Sequence, residues 1–162
     1  MLAQALATNE GSVVHATATD FCAIFAEEMP SLYLLALLLT GNKDKASQCL
    51  VLGLADCGHR IGRFMERART RARHAIVKHA ISMIRPDPRS VGKQPFFSTK
   101  EPANNRFSAI VALDAFERFV FVMSVLEGRS DDDCRRLLRC TQQELATARV
   151  LTLALVTTAD CV

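Results

Sequence analysis

A chain of 162 residues has room for one ordinary domain or two small ones, and 49% hydrophobic with 23% charged residues excludes a largely disordered chain. The longest apolar run, Leu32 to Leu39, is too short for a membrane span. The net charge of +3 conceals an asymmetry: residues 60–85 carry eight basic residues against Glu66 alone, a surplus of seven that leaves −4 on the remainder.

Residues 1–16 are weakly patterned and lack the basic n-region and apolar core of a secretory signal, so the expected location is the cytoplasm. From Thr19 the pattern is helical, with Phe21, Ile24, Phe25 and Met29 recurring at three- and four-residue spacing. Pro30 suits the first turn of a helix better than an interior, which predicts a new helix over Ser31 to Thr40. That segment is apolar nearly all round and belongs at the centre of a core. Gly41-Asn42 closes it. Asp44 to about Asp56 is the next helix, with Ala46, Cys49, Leu50, Leu52 and Leu54 apolar. Arg63 to Ile84 contains neither Gly nor Pro and reads as one long helix, ended by Pro86, Asp87 and Pro88.

Residues 86–106 hold four of the five prolines together with Ser90, Gly92, Ser98, Asn104 and Asn105, the composition of a linker, and Phe96-Phe97 is a candidate anchor for it. Helical pattern returns from Phe107 through Leu126 and stops at Gly128. Residues 130–150 then read as two short helices meeting at a tight turn. Ser130 caps the first and Thr141 the second, and Thr141 with Glu144 has the reciprocal capping-box spacing. Strand alternation and internal repeats are lacking. The expected fold is all-α: a helical module over residues 17–85, a proline-rich linker over 86–106, and a second module over 107–157 ending in a helix-turn-helix.

The six cysteines, at 22, 49, 57, 134, 140 and 161, form no C-x-x-C pair, and Cys57-Gly58-His59 lacks partners at zinc spacing. They read as small buried hydrophobes, and neither metal nor cofactor is expected. His15, His59, His74 and His79 have no Ser or Cys at a telling spacing, so the chain is not expected to be an enzyme.

The long basic helix carries the sharpest signal. At about 100° per residue, Arg60, Arg63, Arg67, Arg71, His74, Lys78 and Arg85 fall in one stripe about 80° wide. Arginines four apart repel one another, at about 0.2–0.5 kcal/mol per pair, and a phosphate backbone relieves that repulsion while releasing counterions. A solvated charged face is the plainer explanation, but near-absence of acids on the stripe favours nucleic acid.

The paired helices are balanced between two readings. Thr141, Gln142, Gln143, Glu144 and Thr147 occupy the part that would meet base edges, where Gln can pair with adenine, and Arg149 is the only cation on the second helix. Arg135, Arg136 and Arg139 on the preceding helix are candidates for phosphate contacts. Against this, Asp131-Asp132-Asp133 repels DNA, although an acidic first turn also suits a helix dipole. The apolar run from Val150 through Leu151, Leu153, Leu155 and Val156 suggests packing against protein.

The stretch from Asp20-Phe21 through Pro30-Ser31-Leu32-Tyr33-Leu34-Leu35-Ala36 to Leu39-Thr40-Gly41 resembles the opening of bacterial RNA polymerase sigma factors of the extracytoplasmic-function (ECF) class. Phe64-Met65-Glu66-Arg67-Ala68 and Ala72-Arg73-His74-Ala75-Ile76-Val77-Lys78 sit where that family has Phe-x-x-Trp-Leu and Ala-Arg-Asn-x-x-Ile-Asp. Ala112-Leu113 through Glu127-Gly128-Arg129-Ser130 resembles the family's second module, and the likeness spans residues 20–85 and 107–155 in order. It implies a first module that grips core RNA polymerase and melts the minus-ten promoter element, and a second that reads the minus-thirty-five element. It also implies an anti-sigma regulator as a further partner.

Where the family's polymerase-gripping helix carries an acidic pair and a Gln-Glu pair, this chain has Ser47-Gln48 and Val51-Leu52, so Gln48, Val51 and Leu52 are the matching polymerase-binding candidates. Where its recognition helix carries Lys and Arg, this chain offers Ala146, Ala148, Leu151 and Leu153. Two functions stay open: a sigma-like initiation protein, and a divergent sigma-like interaction module that no longer recognises promoters. An unrelated small helical enzyme is a distant third.

Overall fold

The structure, a computed structural model, describes residues 18–58, 65–92 and 106–158. The regular elements among them are helical: α1 (Ala18–Thr40), α2 (Lys43–Gly58), α3 (Met65–Ile84), α4 (Arg106–Ala112), α5 (Ala115–Phe121), α6 (Asp131–Leu138) and α7 (Gln142–Thr158). A 3-10 turn at Pro88–Ser90 follows α3, and α5 runs into a π-helical turn at Val122–Leu126. Among the described residues no helix is long and apolar enough to cross a membrane.

The first three helices pack pairwise on one another. Leu32, Leu35, Ala36 and Leu39 of α1, Cys49 of α2, and Ala72, Ile76 and Ala80 of α3 are buried between them. Gly53 permits the close approach of α2 to α3, because a Cβ there would stand 2.9 Å from Ile76 Cδ1. His79 Nε2 and Asp56 Oδ2, 2.8 Å apart, tie the outer edge of the same pair.

Pro30 does not begin a helix; α1 runs straight through it. An interior proline leaves the carbonyl four residues earlier without its donor, but Ala26 and Pro30 are both exposed, so that carbonyl is not shut away from solvent and the cost is lowered. The apolar side chains beyond Pro30 keep the winding helical by their burial. Gly41, at φ +64°, ends α1 with its N–H donating to Leu37 O at 2.8 Å, and Asn42 Oδ1 accepts from the Lys45 N–H at 3.0 Å to start α2.

The helical pattern expected over 107–126 is realised as separate helices. Asp114 interrupts it, and its carboxylate accepts from the Phe116 N–H at 3.2 Å as the cap of α5. A short acidic side chain competes with the helical ladder for backbone donors, which breaks one run into two. Phe116, Phe119, Val120, Val122 and Met123 are then buried on nearly every side. Ser130 caps α6 by accepting from the Asp133 N–H at 3.2 Å. At α7, the Thr141 N–H donates to Glu144 Oε2 at 2.8 Å and the Glu144 N–H donates to Thr141 Oγ1 at 3.2 Å, the reciprocal pair that the spacing predicts. The second of these helices is not short: α7 has 17 residues.

The buried side chains of 32–80 and of 110–148 belong to one continuous core, with α1 packed against α4, α5 and the π turn. Arg118 joins the two parts. Only 8% exposed, it donates to Leu39 O at 3.1 Å and Thr40 O at 3.5 Å, and also to Val111 O and Leu113 O, both at 3.1 Å. These are carbonyls at helix ends that lack an intrahelical partner, and a cation there also complements the helix dipole. The guanidinium lies over Gly41, where a Cβ would approach Arg118 Cζ to 3.3 Å. After α3, Ser90 Oγ donates to Asp114 Oδ2 and the Gly92 N–H donates to Glu117 Oε1 at 3.3 Å. Residues 93–105 of the proline-rich segment, with Phe96 and Phe97, lie outside the described residues.

Candidate nucleic-acid interface

The buried face of α3 is Ala72, Ala75, Ile76, Val77 and Ala80, and this fixes what points outward. Arg71, His74 and Lys78 are exposed on the opposite side, as the helical period predicts. Arg60 and Arg63 lie outside the described residues, as does the side chain of Arg67. The acids of α1 serve the arginines beside this stripe instead. Arg69 lies 3.5 Å from Glu27 and 3.2 Å from Glu28, the latter an ion pair without hydrogen-bond alignment at Nε. Arg73 donates to Glu127 at 3.2 Å and to Ser31 Oγ at 3.0 Å.

Sequence reasoning passed over Arg129. Its Nη1 donates to His74 Nδ1 at 3.4 Å, which leaves the imidazole neutral with its proton on Nε2. Burial holds the His74 imidazole below its usual value, helped by the charges of Arg129, Lys78 and Arg136 and opposed by Asp133. The start of α6 thus stands beside the stripe of α3, and candidates from distant parts of the sequence share one surface.

Along α6 and at its end, Arg135, Arg136 and Arg139 are all exposed, but two of the aspartates in its first turn are paired with Arg135 and Arg136. Asp132 meets Arg135 at 3.4 Å, and Asp133 binds Arg136, each one turn along the helix. Arg139 sits in the left-handed region at φ +53°, with its N–H donating to Arg135 O. Asp131 has a different task. It accepts from Arg149 and, at 3.0 Å, from Gln142 Nε2, so it fastens α6 to α7. Those two donors hold its carboxyl below the usual carboxylate range.

Thr141, Gln142, Gln143 and Thr147 are exposed, while Leu145, Ala148 and Thr152 are buried against the rest of the fold. Arg149 is half-buried and engaged by Asp131 and by Ser124 Oγ, at 3.3 Å from the latter, so it is not on offer to a phosphate. The apolar tail of α7 is mixed: Leu151 and Leu155 are half-buried, whereas Val150 is 68% and Leu153 40% exposed. On α2, Gln48, Val51 and Leu52 are all exposed, Val51 to 67%.

Burial pushes the Cys49 and Cys134 thiols up to about 11, so neither is a ready nucleophile at neutral pH. No protein-family model, curated protein or solved structure matches the chain.

Proposed function

We propose that this chain is a sigma-factor-like transcription initiation protein that binds promoter DNA and core RNA polymerase without catalysing a reaction. One observation carries the reading: acids pair Arg69 and Arg73 beside the α3 stripe, while Lys78 and His74 face outward and, among the described residues, no carboxylate is bonded to them. A phosphate backbone supplies the missing counter-charge. Gln143 and Thr147 stand free of the core to meet base edges, and Gln48, Val51 and Leu52 form an exposed face for polymerase. Regulation by an anti-sigma partner belongs to the same reading.

The second reading, an interaction module without promoter recognition, is favoured by the engagement of Gln142 and Arg149 with Asp131 and by the exposure of Val51, Leu52, Val150 and Leu153. Selection from a randomised duplex pool, together with capture of purified core polymerase by the full chain, separates the two. Sequence enrichment with polymerase capture supports the sigma-like reading. Neither result, with self-association that Val150→Ser and Leu153→Ser abolish, supports the interaction module.

A further inference from the structure

We infer that Lys78 and His74 of α3, with Arg129 and Arg136 beside and within α6, form one surface that takes a single nucleic-acid backbone across both parts of the chain. This rests on the nucleic-acid reading above and adds where the strand runs. The minus-ten and minus-thirty-five arrangement implied by the sequence resemblance assigns the two parts to separate stretches of DNA. Here polar groups of the two parts meet instead: Arg129 and the neutral imidazole of His74, 55 positions apart in sequence, touch at 3.4 Å.

Convergent cations repel unless something else holds them together. Arg118 supplies that hold through the carbonyls of Leu39 and Thr40, and Arg73 adds a second tie through Glu127. Among the described residues, Asp133 is the one carboxylate whose charge acts in favour of a protonated His74, and it is shared with Arg136. The cluster is therefore short of negative charge, and an arriving polyanion is attracted to groups already in place, with little reorganisation to oppose it. Binding across both parts also opposes their separation, since a strand that needs Lys78 and Arg136 together favours the docked arrangement.

The chemistry favours phosphodiester over an acidic protein surface. Protein interfaces are anchored by large apolar or aromatic side chains. Among the described residues the exposed large apolar ones lie on α1, α2, α4, the π turn and α7, and neither α3 nor α6 contributes one.

The test uses the full chain and a labelled duplex of about 12 base pairs, titrated at several salt concentrations. Lys78→Gln, Arg129→Gln and Arg136→Gln should each weaken binding about three- to tenfold and lower the slope of log affinity against log salt by about one. Arg136 is 75% exposed in its side chain, so its replacement leaves the fold intact even if Arg129→Gln melts early. Saturating duplex should raise the melting temperature of the wild type more than that of Arg136→Gln. If Lys78→Gln weakens binding while Arg136→Gln and a folded Arg129→Gln leave affinity and slope unchanged, the shared surface is overturned and nucleic-acid binding by α3 stands. A wild type without salt-dependent binding removes both. Polyglutamate displacing the duplex as well as unlabelled duplex does would overturn the assignment to a phosphate backbone.

Discussion

Arg139 holds a conformation that glycine adopts at no steric cost, and its side chain remains exposed at the turn between α6 and α7. Left-handed backbone costs a non-glycine residue about 1–2 kcal/mol, part of which a glycine returns as unfolded-chain entropy. Arg139→Gly should therefore stabilise the fold by about 0.5–1 kcal/mol in urea denaturation while weakening salt-dependent duplex binding. Stabilisation with unchanged binding would mean that the arginine serves the turn alone. His74 gives a pH dependence with a definite sign. Burial, Arg129, Lys78 and Arg136 disfavour its charged form against the pull of Asp133, so the folded chain takes up this proton at lower pH than the unfolded chain. The group is neutral in both states well above pH ~6.5 and affects stability little there. As pH falls through the usual imidazole value toward the lowered one, the unfolded state binds more protons and stability declines. Melting curves at pH 7.5 and 5.5 should show a smaller loss for His74→Asn than for the wild type. Equal losses would place the proton uptake elsewhere.

At the scale of helices, the caps were the most legible features because each is chemistry within a few residues. Gly41-Asn42, Ser130 and the Thr141–Glu144 pair announce their roles and perform them. Pro30 misleads because the cost of an interior proline depends on whether the freed carbonyl meets water, which the sequence does not record. The apolar run around Phe119 to Met123 suits any helical winding, so nothing in it marks the i→i+5 bond from the Glu127 N–H to Val122 O at 2.9 Å. Much the same division holds for the candidate interface. Outward placement of His74 and Lys78, and the Asp132–Arg135 and Asp133–Arg136 pairs, follow from helical spacing. Arg129 on His74, Arg73 on Glu127 and Arg149 on Asp131 cross between elements, and a single sequence holds no trace of such partnerships. Asp114 is the helix-scale residue most open to test, since it caps α5 and also accepts from Ser90 Oγ. Asp114→Ala should cost about 1–2 kcal/mol in urea denaturation, and Ser90→Ala less, because the second change leaves the cap in place. Equal costs would show that the tie to Ser90 carries the effect.

Across the whole molecule, the decisive question is what keeps α4 and α5 against α1. Apolar contact is part of the answer, since Ile110, Leu113 and Phe116 are buried in the core that α1 shares. Such contact is non-directional and tolerates sliding, whereas Arg118 fixes one arrangement by meeting carbonyls from α1, from α4 and from the residue just after α4. Replacing it with methionine retains a long apolar stem but leaves buried carbonyl oxygens without donors, a loss of about 3 kcal/mol. Lysine restores a charge without the planar fork and should recover only part of that. The consequence reaches beyond stability, because the shared cationic surface exists only while the two parts are docked. With a protease site placed between residues 93 and 105, the cut wild-type chain should elute from a sizing column as one species, held by Arg118 and the surrounding core. The cut Arg118→Met chain should elute as two, and its uncut form should bind duplex more weakly although every cation of the surface is still present. Co-elution of the cut variant with undiminished duplex affinity would assign the docking to the apolar contacts of α1 and reduce Arg118 to a cap on the end of one helix.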